Sequence, residues 1–133
     1  MLFRSFHVYD ATLFAPNAAA AARLQAPLAL RLEYRRSIDA ADIVDASIAE
    51  LGKLGIAAQQ LSEWAPLMTA VFPDVRSGDA IIGRHEGHQA RFALNDRPLG
   101  TVAAPGFADA FFGIWLDART SAPQLRRALL GET

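Results

Sequence analysis

The chain contains no cysteine. That excludes disulfide staples, thiolate metal sites and a cysteine nucleophile. Lysine is almost as scarce: Lys53 is the only one among 13 basic residues, the rest being arginine. Fourteen acidic residues leave a net charge of -1, so no basic footprint for nucleic acid is present. No apolar run approaches the ~20 residues that span a bilayer, and no secretory signal opens the sequence. The first residues, Leu2-Phe3-Arg4-Ser5-Phe6-His7-Val8-Tyr9-Asp10, already read as strand, as they would if an upstream piece had been lost. The expected compartment is the cytoplasm by default, or the periplasm if a signal segment was removed. Gly78, Gly83, Gly87 and Gly100 lack the G-x-G-x-x-G spacing of a dinucleotide loop. None of Ser5, Ser37, Ser47, Ser62, Ser77 and Ser121 lies in G-x-S-x-G, so a hydrolase triad is unsupported. No cofactor is expected.

What is present is apolar. Hydrophobic residues make up 52% of 133 positions and charged ones 20%, the profile of a globular chain rather than a disordered one. At this length the expectation is a single domain, residues 1–133, able to bury one core.

Residues 3–14 are rich in aromatic and β-branched side chains and end at Ala15-Pro16-Asn17, which predicts a strand. Phe6 and Val8 fall on one face, Phe3, Tyr9 and Leu13 on the other, so this strand is expected to be central and covered on both sides. The alanine-rich stretch 18–24 reads as a helical turn or a loose connection. Residues 28–36 alternate, with Leu28, Leu30, Leu32 and Tyr34 pointing one way and Arg31, Glu33 and Arg35 the other. Asp39 is placed to N-cap a helix with Val44, Ile48, Leu51 and Leu54 on one face, stopped by Gly55. A second helix over 60–72 carries Leu61, Trp64, Met68 and Val71. Pro66 requires that it begin at Ser62 or be kinked.

Three strands follow at 79–85, 89–94 and 98–103, joined by Glu86-Gly87-His88 and Asn95-Asp96-Arg97, both suited to hairpin turns. Residues 107–116 read as an almost wholly apolar helix. Ser121 and Gln124 form a capping-box signature for a final helix ending near Leu130. Strands and helices in the order β-β-α-α-β-β-β-α-α predict an α+β fold, an antiparallel sheet with helices on one face.

His85-Glu86-Gly87-His88 invites a metal reading. A zinc metalloprotease places its histidines at i and i+4 on a helix, whereas here they are i and i+3 around a glycine turn. A solvated loop tip is expected, and no metal. Tyr9, Tyr34 and Arg36 are candidates to face one cleft, where phenols and a guanidinium could hold a ligand's carboxylate or phenol. Plain strand residues with hydroxyls at the sheet edge are the structural alternative. Phe107, Phe111 and Trp115 share one face of the late helix, and Phe112 and Leu116 another. Too many large groups for one narrow stripe mean either burial on most sides or a face lining an apolar pocket.

Four pieces of the chain resemble, in order, the chalcone isomerase-like family, specifically its bacterial branch. They are V-Y-D-A-T-L-F-A-P at residues 8–16, A-L-R-L-E-Y-R-R at 29–36, F-P-D-V-R-S-G-D at 72–79 and F-F-G-I-W-L at 111–116. The resemblance implies an open-faced β-sandwich, a curved antiparallel sheet with helices over one side and an apolar cleft between them. Plant members cyclise a chalcone to a flavanone using an arginine, a tyrosine, an asparagine and a hydroxyl residue. Carried onto this sequence, the arginine would precede or coincide with the start of the chain, and Arg4 is not a clear match. The tyrosine position holds Asp39, the asparagine position Ala46 beside Ser47, and the hydroxyl falls near Phe112 or Gly113. Other branches of the fold bind fatty acids without catalysis.

The resemblance and the residues together lead to three readings. The favoured one is a non-catalytic protein binding a small apolar or amphipathic ligand such as a fatty acid, through Tyr9, Tyr34, Arg36, Phe107, Phe111, Phe112 and Trp115. The alternatives are an isomerase (an intramolecular lyase) acting on a chalcone-like enone, with Tyr9, Tyr34 or a nearby arginine as acid and charge stabiliser but no catalytic residue assigned, and an interaction module with a collapsed pocket using the Arg126-Arg127 helix. Neither nucleic acid nor a transmembrane segment is expected, and oligomeric state is left open.

Overall fold

Alternation builds the sheet. In β2 (Leu28–Tyr34) Leu28, Leu30, Leu32 and Tyr34 are buried, while Ala29, Arg31 and Glu33 between them are only partly so. A strand of period two presents one face to a core and the other outward. The structure, a computed structural model that describes residues 8–131, places β2 between β1 (Tyr9–Phe14) and β3 (Ala80–His85). The sheet continues through β4 (Ala90–Leu94) to β5 (Arg97–Val102). Its spatial order is β1-β2-β3-β4-β5, every neighbour antiparallel. Among the described residues there are five helices: α1 (Ala18–Ala22), α2 (Ala40–Lys53), α3 (Ala58–Val71), α4 (Phe107–Leu116) and α5 (Pro123–Leu129). The α+β class and the open sheet agree with the order read from the residues.

The hairpins follow their turn residues. Gly87 takes φ +91 between β3 and β4. Asn95 and Asp96 have φ of 48 and 72 between β4 and β5, the paired positive values that a tight two-residue hairpin demands.

The largest detour separates β2 from β3 and contains α2 and α3. It is tied at its root, where Ile38 and Val75 exchange two backbone hydrogen bonds of 3.0 Å. Closer to the sheet, Tyr34 N–H donates to Asp79 O and Gly78 N–H donates to Tyr34 O, both at 2.8 Å. The chain therefore leaves and rejoins the sheet at one place, which holds α2 over Tyr34.

Between the sheet and the helical pair lies α4. Phe107, Ala108, Phe111, Phe112, Gly113, Ile114, Trp115 and Leu116 are all buried. A helix apolar around most of its circumference, with Asp109 left exposed, belongs deep in a protein, and this one has the sheet on one side and α2 on the other.

Several local expectations need correction. β1 is an edge strand, not a central one: Tyr9, Ala11 and Leu13 are partly buried, while Asp10, Thr12 and Phe14 are exposed, Phe14 by 51%. A strand apolar at alternate positions on both faces can be read as doubly covered, but among the described residues β1 has only β2 beside it. Phe3, Arg4 and Phe6 lie outside the described residues. Asp39 occupies the N-cap position of α2 yet makes no side-chain cap. Instead Asp74, returning beside it through the Ile38–Val75 tie, accepts from Ala40 N–H at 2.8 Å. α3 begins at Ala58, not at Ser62, and carries Pro66 in its interior. Ser62 and Pro66 are both exposed, so the carbonyl left without its helical donor faces water. The final helix starts at Pro123 with Ala122 before it, and Ser121 does not cap it. The Ser121 hydroxyl donates to Glu50 of α2.

Candidate functional site

Three elements enclose a cavity of about 130 Å³. The sheet supplies its floor, with Leu30, Leu32, Ile81, Gly83 and Phe92. Their side chains project to one side because Leu30 pairs with Gly83 and Gly83 with Phe92 across the strands, as Leu32 does with Ile81. Gly83 makes room there: a Cβ would come within 3.0 Å of Phe92 and 3.3 Å of Phe112. The roof is α4, through Phe111, Phe112, Ile114 and Trp115. One wall is α2, through Asp42, Ile43, Ala46, Ser47 and Glu50. Asp42 and Ala46 are also exposed, so the cavity reaches the surface along that helix.

Tyr9 and Tyr34 are direct partners across β1 and β2, and both line the cavity. Their rings meet edge to face with centroids 5.6 Å apart. Trp115 Nε1 donates to the Tyr9 hydroxyl oxygen at 2.8 Å. The Tyr34 hydroxyl makes no hydrogen bond to any described residue, although the residue is only 5% exposed. Burial pushes the Tyr9 phenol up to about 12; the Trp115 hydrogen bond opposes that shift and the Glu50 carboxylate adds to it. Burial, then the neighbouring Tyr9, raises the Tyr34 phenol further. Both are neutral O–H groups throughout the physiological range.

Of the residues singled out from the sequence, Tyr9, Tyr34, Phe111, Phe112 and Trp115 thus come together around one space. Phe107 is fully buried but lies one turn away, packed edge to face on Trp64 at 5.3 Å. Arg36 is exposed beyond the end of β2 and does not line the cavity. A lining side chain that the sequence reading passed over is Glu50. Its carboxylate also accepts from Lys53 at 3.0 Å. A weak signal pointed to it, since Asp42, Ala46 and Glu50 recur every four residues on one helix face.

Among the described residues the polar lining is Tyr9, Tyr34, Asp42, Ser47 and Glu50. Ser47 is back-bonded to Ile43 O at 2.8 Å, which occupies its proton. Asp39, at the position to which the resemblance assigned the plant enzymes' tyrosine, is exposed and outside the lining.

His85 departs from the solvated loop tip that its sequence context predicts. It is 2% exposed, the last inward residue of β3. Nδ1 accepts from Gly87 N–H at 3.0 Å, and Nε2 lies 2.7 Å from Asp109 Oδ1 on α4. Both ring nitrogens are therefore occupied. The period-two pattern through Ile81 and Gly83 pointed it inward, and the glycine turn beside it hid that. His88 does lie exposed. Among the described residues no cluster of three or more His, Asp or Glu could hold a metal ion, and no helix is long and apolar enough to cross a membrane.

Comparison with known proteins agrees with this fold. An uncharacterized protein of Haemophilus influenzae is 30% identical over 128 residues, covering 96% of this chain and 63% of its own length. The crystal structure of the Arabidopsis thaliana fatty-acid binding protein AtFAP1 superposes with a TM-score of 0.66 at 14% identity, over 86% of this chain and 62% of that one. The second likeness is one of fold. The chain thus spans less than two thirds of the length of either relative. The profile of the family described as chalcone isomerase-like matches residues 3–131. With nearly the whole length matched and the sheet, helices and cleft in place, the chain belongs to the chalcone isomerase-like family.

Proposed function

We propose that this protein holds a small apolar or amphipathic molecule between its sheet and α4, without transforming it. The observation that carries this reading is the cavity itself. It is walled by aromatic and aliphatic side chains, reaches the surface beside α2, and its polar lining among the described residues is two phenols, the Ser47 hydroxyl already bonded to Ile43 O, and the Asp42 and Glu50 carboxylates. Such a lining favours apolar surface by roughly 25 cal/mol per Å² removed from water, and its few polar groups would orient what enters. The Arabidopsis protein of the same fold is named for fatty-acid binding, so a fatty acid is the first amphipathic candidate. Size bears on how one would bind. About 130 Å³ is close to a space that lodges a benzene-sized body. A short chain, or the end of a longer one, fits without rearrangement, and a long chain requires side chains at the α2 mouth to move.

Gentle purification, denaturation and lipid mass spectrometry of the released material test this reading, together with titration of a fluorescent fatty acid and of small aromatic probes. A stoichiometric co-purifying molecule or saturable binding that Gly83→Leu abolishes is expected. No released molecule and no saturable binding of any probe would overturn it.

A further inference from the structure

The face of the sheet turned away from the cavity carries a row of side chains with chemistry of its own. Phe14, Ala29, Arg84 and Arg91 are successive cross-strand partners from β1 to β4. Directly paired residues of antiparallel strands project to the same face. Leu30, Gly83 and Phe92, which alternate with this row, line the cavity, so the row itself points outward. Phe14, Arg84 and Arg91 are exposed, and Ala29 is half-buried. Together they line an open groove of about 880 Å³, with Pro16 and Pro27 adding an apolar rim near Phe14.

The basic end of this groove is short of negative charge. Arginines placed directly opposite one another across a sheet repel. Arg91 Nε donates to Glu86 at 3.0 Å, and the same carboxylate also accepts from Gln89 at 2.7 Å. The terminal nitrogens of Arg91 donate to no described residue. Arg84 makes no ion pair with any described residue. A carboxylate arriving from outside relieves the repulsion and gives Arg84 the two-pronged acceptor that a guanidinium suits.

Shape chooses among anionic partners. A lipid surface is flat, and a free small acid favours a site that encloses most of it, whereas this groove is concave and open. From Phe14 to Arg91 the row crosses three strand spacings, roughly 14 Å, or about four residues of extended chain. Clusters of arginine are a recurrent way to read acidic segments.

We propose that the groove on the outer face of the sheet docks an acidic, extended segment of a partner protein, its apolar side chain set on Phe14 and Ala29 and its carboxylates on Arg84 and Arg91. An apolar residue followed by acidic ones two and four positions later matches the row, because alternate residues of an extended chain share a face.

Capped peptides titrated into the full chain, followed through the protein's amide NMR shifts, test this. Leu-Ser-Glu-Ser-Glu is compared with versions carrying glutamine or lysine in place of both glutamates, with Ser-Ser-Glu-Ser-Glu, and with phosphatidylglycerol vesicles. Saturable shifts are expected along the Phe14–Arg91 row. The glutamate peptide should bind about tenfold more tightly than the glutamine one, the worth of two exposed ion pairs, and less tightly as salt is added. Loss of the leucine should weaken it further. Arg84→Gln should weaken the glutamate peptide about threefold, spare the glutamine one, and leave the unfolding midpoint unchanged or higher. Equal binding of the glutamate and glutamine peptides, tightest binding of the lysine peptide, shifts from vesicles alone, or no saturable shift from any peptide would overturn the proposal. So would a marked loss of stability in Arg84→Gln, which would show the guanidinium already engaged. Because the row and the cavity lie on opposite faces, none of these results decides whether the cavity binds.

Discussion

Trp115 on α4 donates its indole N–H to the hydroxyl oxygen of Tyr9 on β1, at 2.8 Å and across 106 positions of sequence. One polar contact thereby pins the cavity's roof to the sheet's edge strand, with an aromatic side chain on each side of it. Tyr9→Phe removes the acceptor and leaves the indole N–H facing apolar surroundings. The expected loss of stability is about 1–2 kcal/mol, read by urea unfolding. Trp64 is the other tryptophan, so the fluorescence change on Tyr9→Phe is assigned in a Trp64→Phe background.

Gly83→Ala places a methyl group where Phe92 and Phe112 already stand at 3.0 and 3.3 Å. Overpacking of this kind typically costs about 1–3 kcal/mol. Because the same rings line the cavity, binding of any probe should weaken along with the unfolding midpoint. A variant as stable as the parent, with unchanged binding, would show that the two rings can step aside.

Asp74→Ala and Asp39→Ala separate two accounts of how α2 begins. Asp74 accepts from Ala40 N–H at 2.8 Å, and Asp39 makes no such bond. Loss of Asp74 should cost about 1 kcal/mol, the usual worth of a cap. Loss of Asp39 should cost only a few tenths, from its charge near the helix start. Chemical denaturation of the two variants side by side gives the comparison, and the reverse ranking would contradict it.

Alkaline titration reads both tyrosines at once, since the chain has only two. Tyr9 is raised to about 12 from an ordinary 10.0, and Tyr34 is raised further. A raised phenol favours the fold while it is protonated. That contribution is complete below pH 10 and is lost as the pH climbs through 12. Absorbance of the phenolate should therefore show no step near 10 and should rise together with loss of near-ultraviolet circular dichroism. A clean titration at 10 with the fold intact would place at least one phenol in water.

The sequence carried the architecture well because its signals are local. Alternation through Leu28, Leu30, Leu32 and Tyr34, the Asn95-Asp96 turn and the apolar run at 107–116 each dictate an element from neighbouring residues alone. Tyr9, Tyr34, Phe111, Phe112 and Trp115 could be read as lining candidates for the same reason, whereas Phe72 and Phe92, which also line the cavity, were passed over. Errors arose where a distant residue decides the outcome. Asp74 displaces Asp39 as a cap only after the Ile38–Val75 tie brings it there. Ser121 abandons the capping box because Glu50 is packed beside it. His85 finds its carboxylate on a helix that the turn sequence around it does not announce. Arg36 shows the limit of extending a strand pattern too far. Two residues past Tyr34 the chain has turned toward α2, and a side chain counted as part of the cleft stands in solvent.

The paired backbone bonds at Ile38 and Val75 act as a clasp on everything the chain does between β2 and β3. Insertions, deletions or altered helix pitch beyond the clasp leave the strand alignment below untouched. Over evolutionary time the mouth along α2 is thus free to widen, narrow or change its chemistry, while the Tyr9–Tyr34 pairing beneath keeps its place.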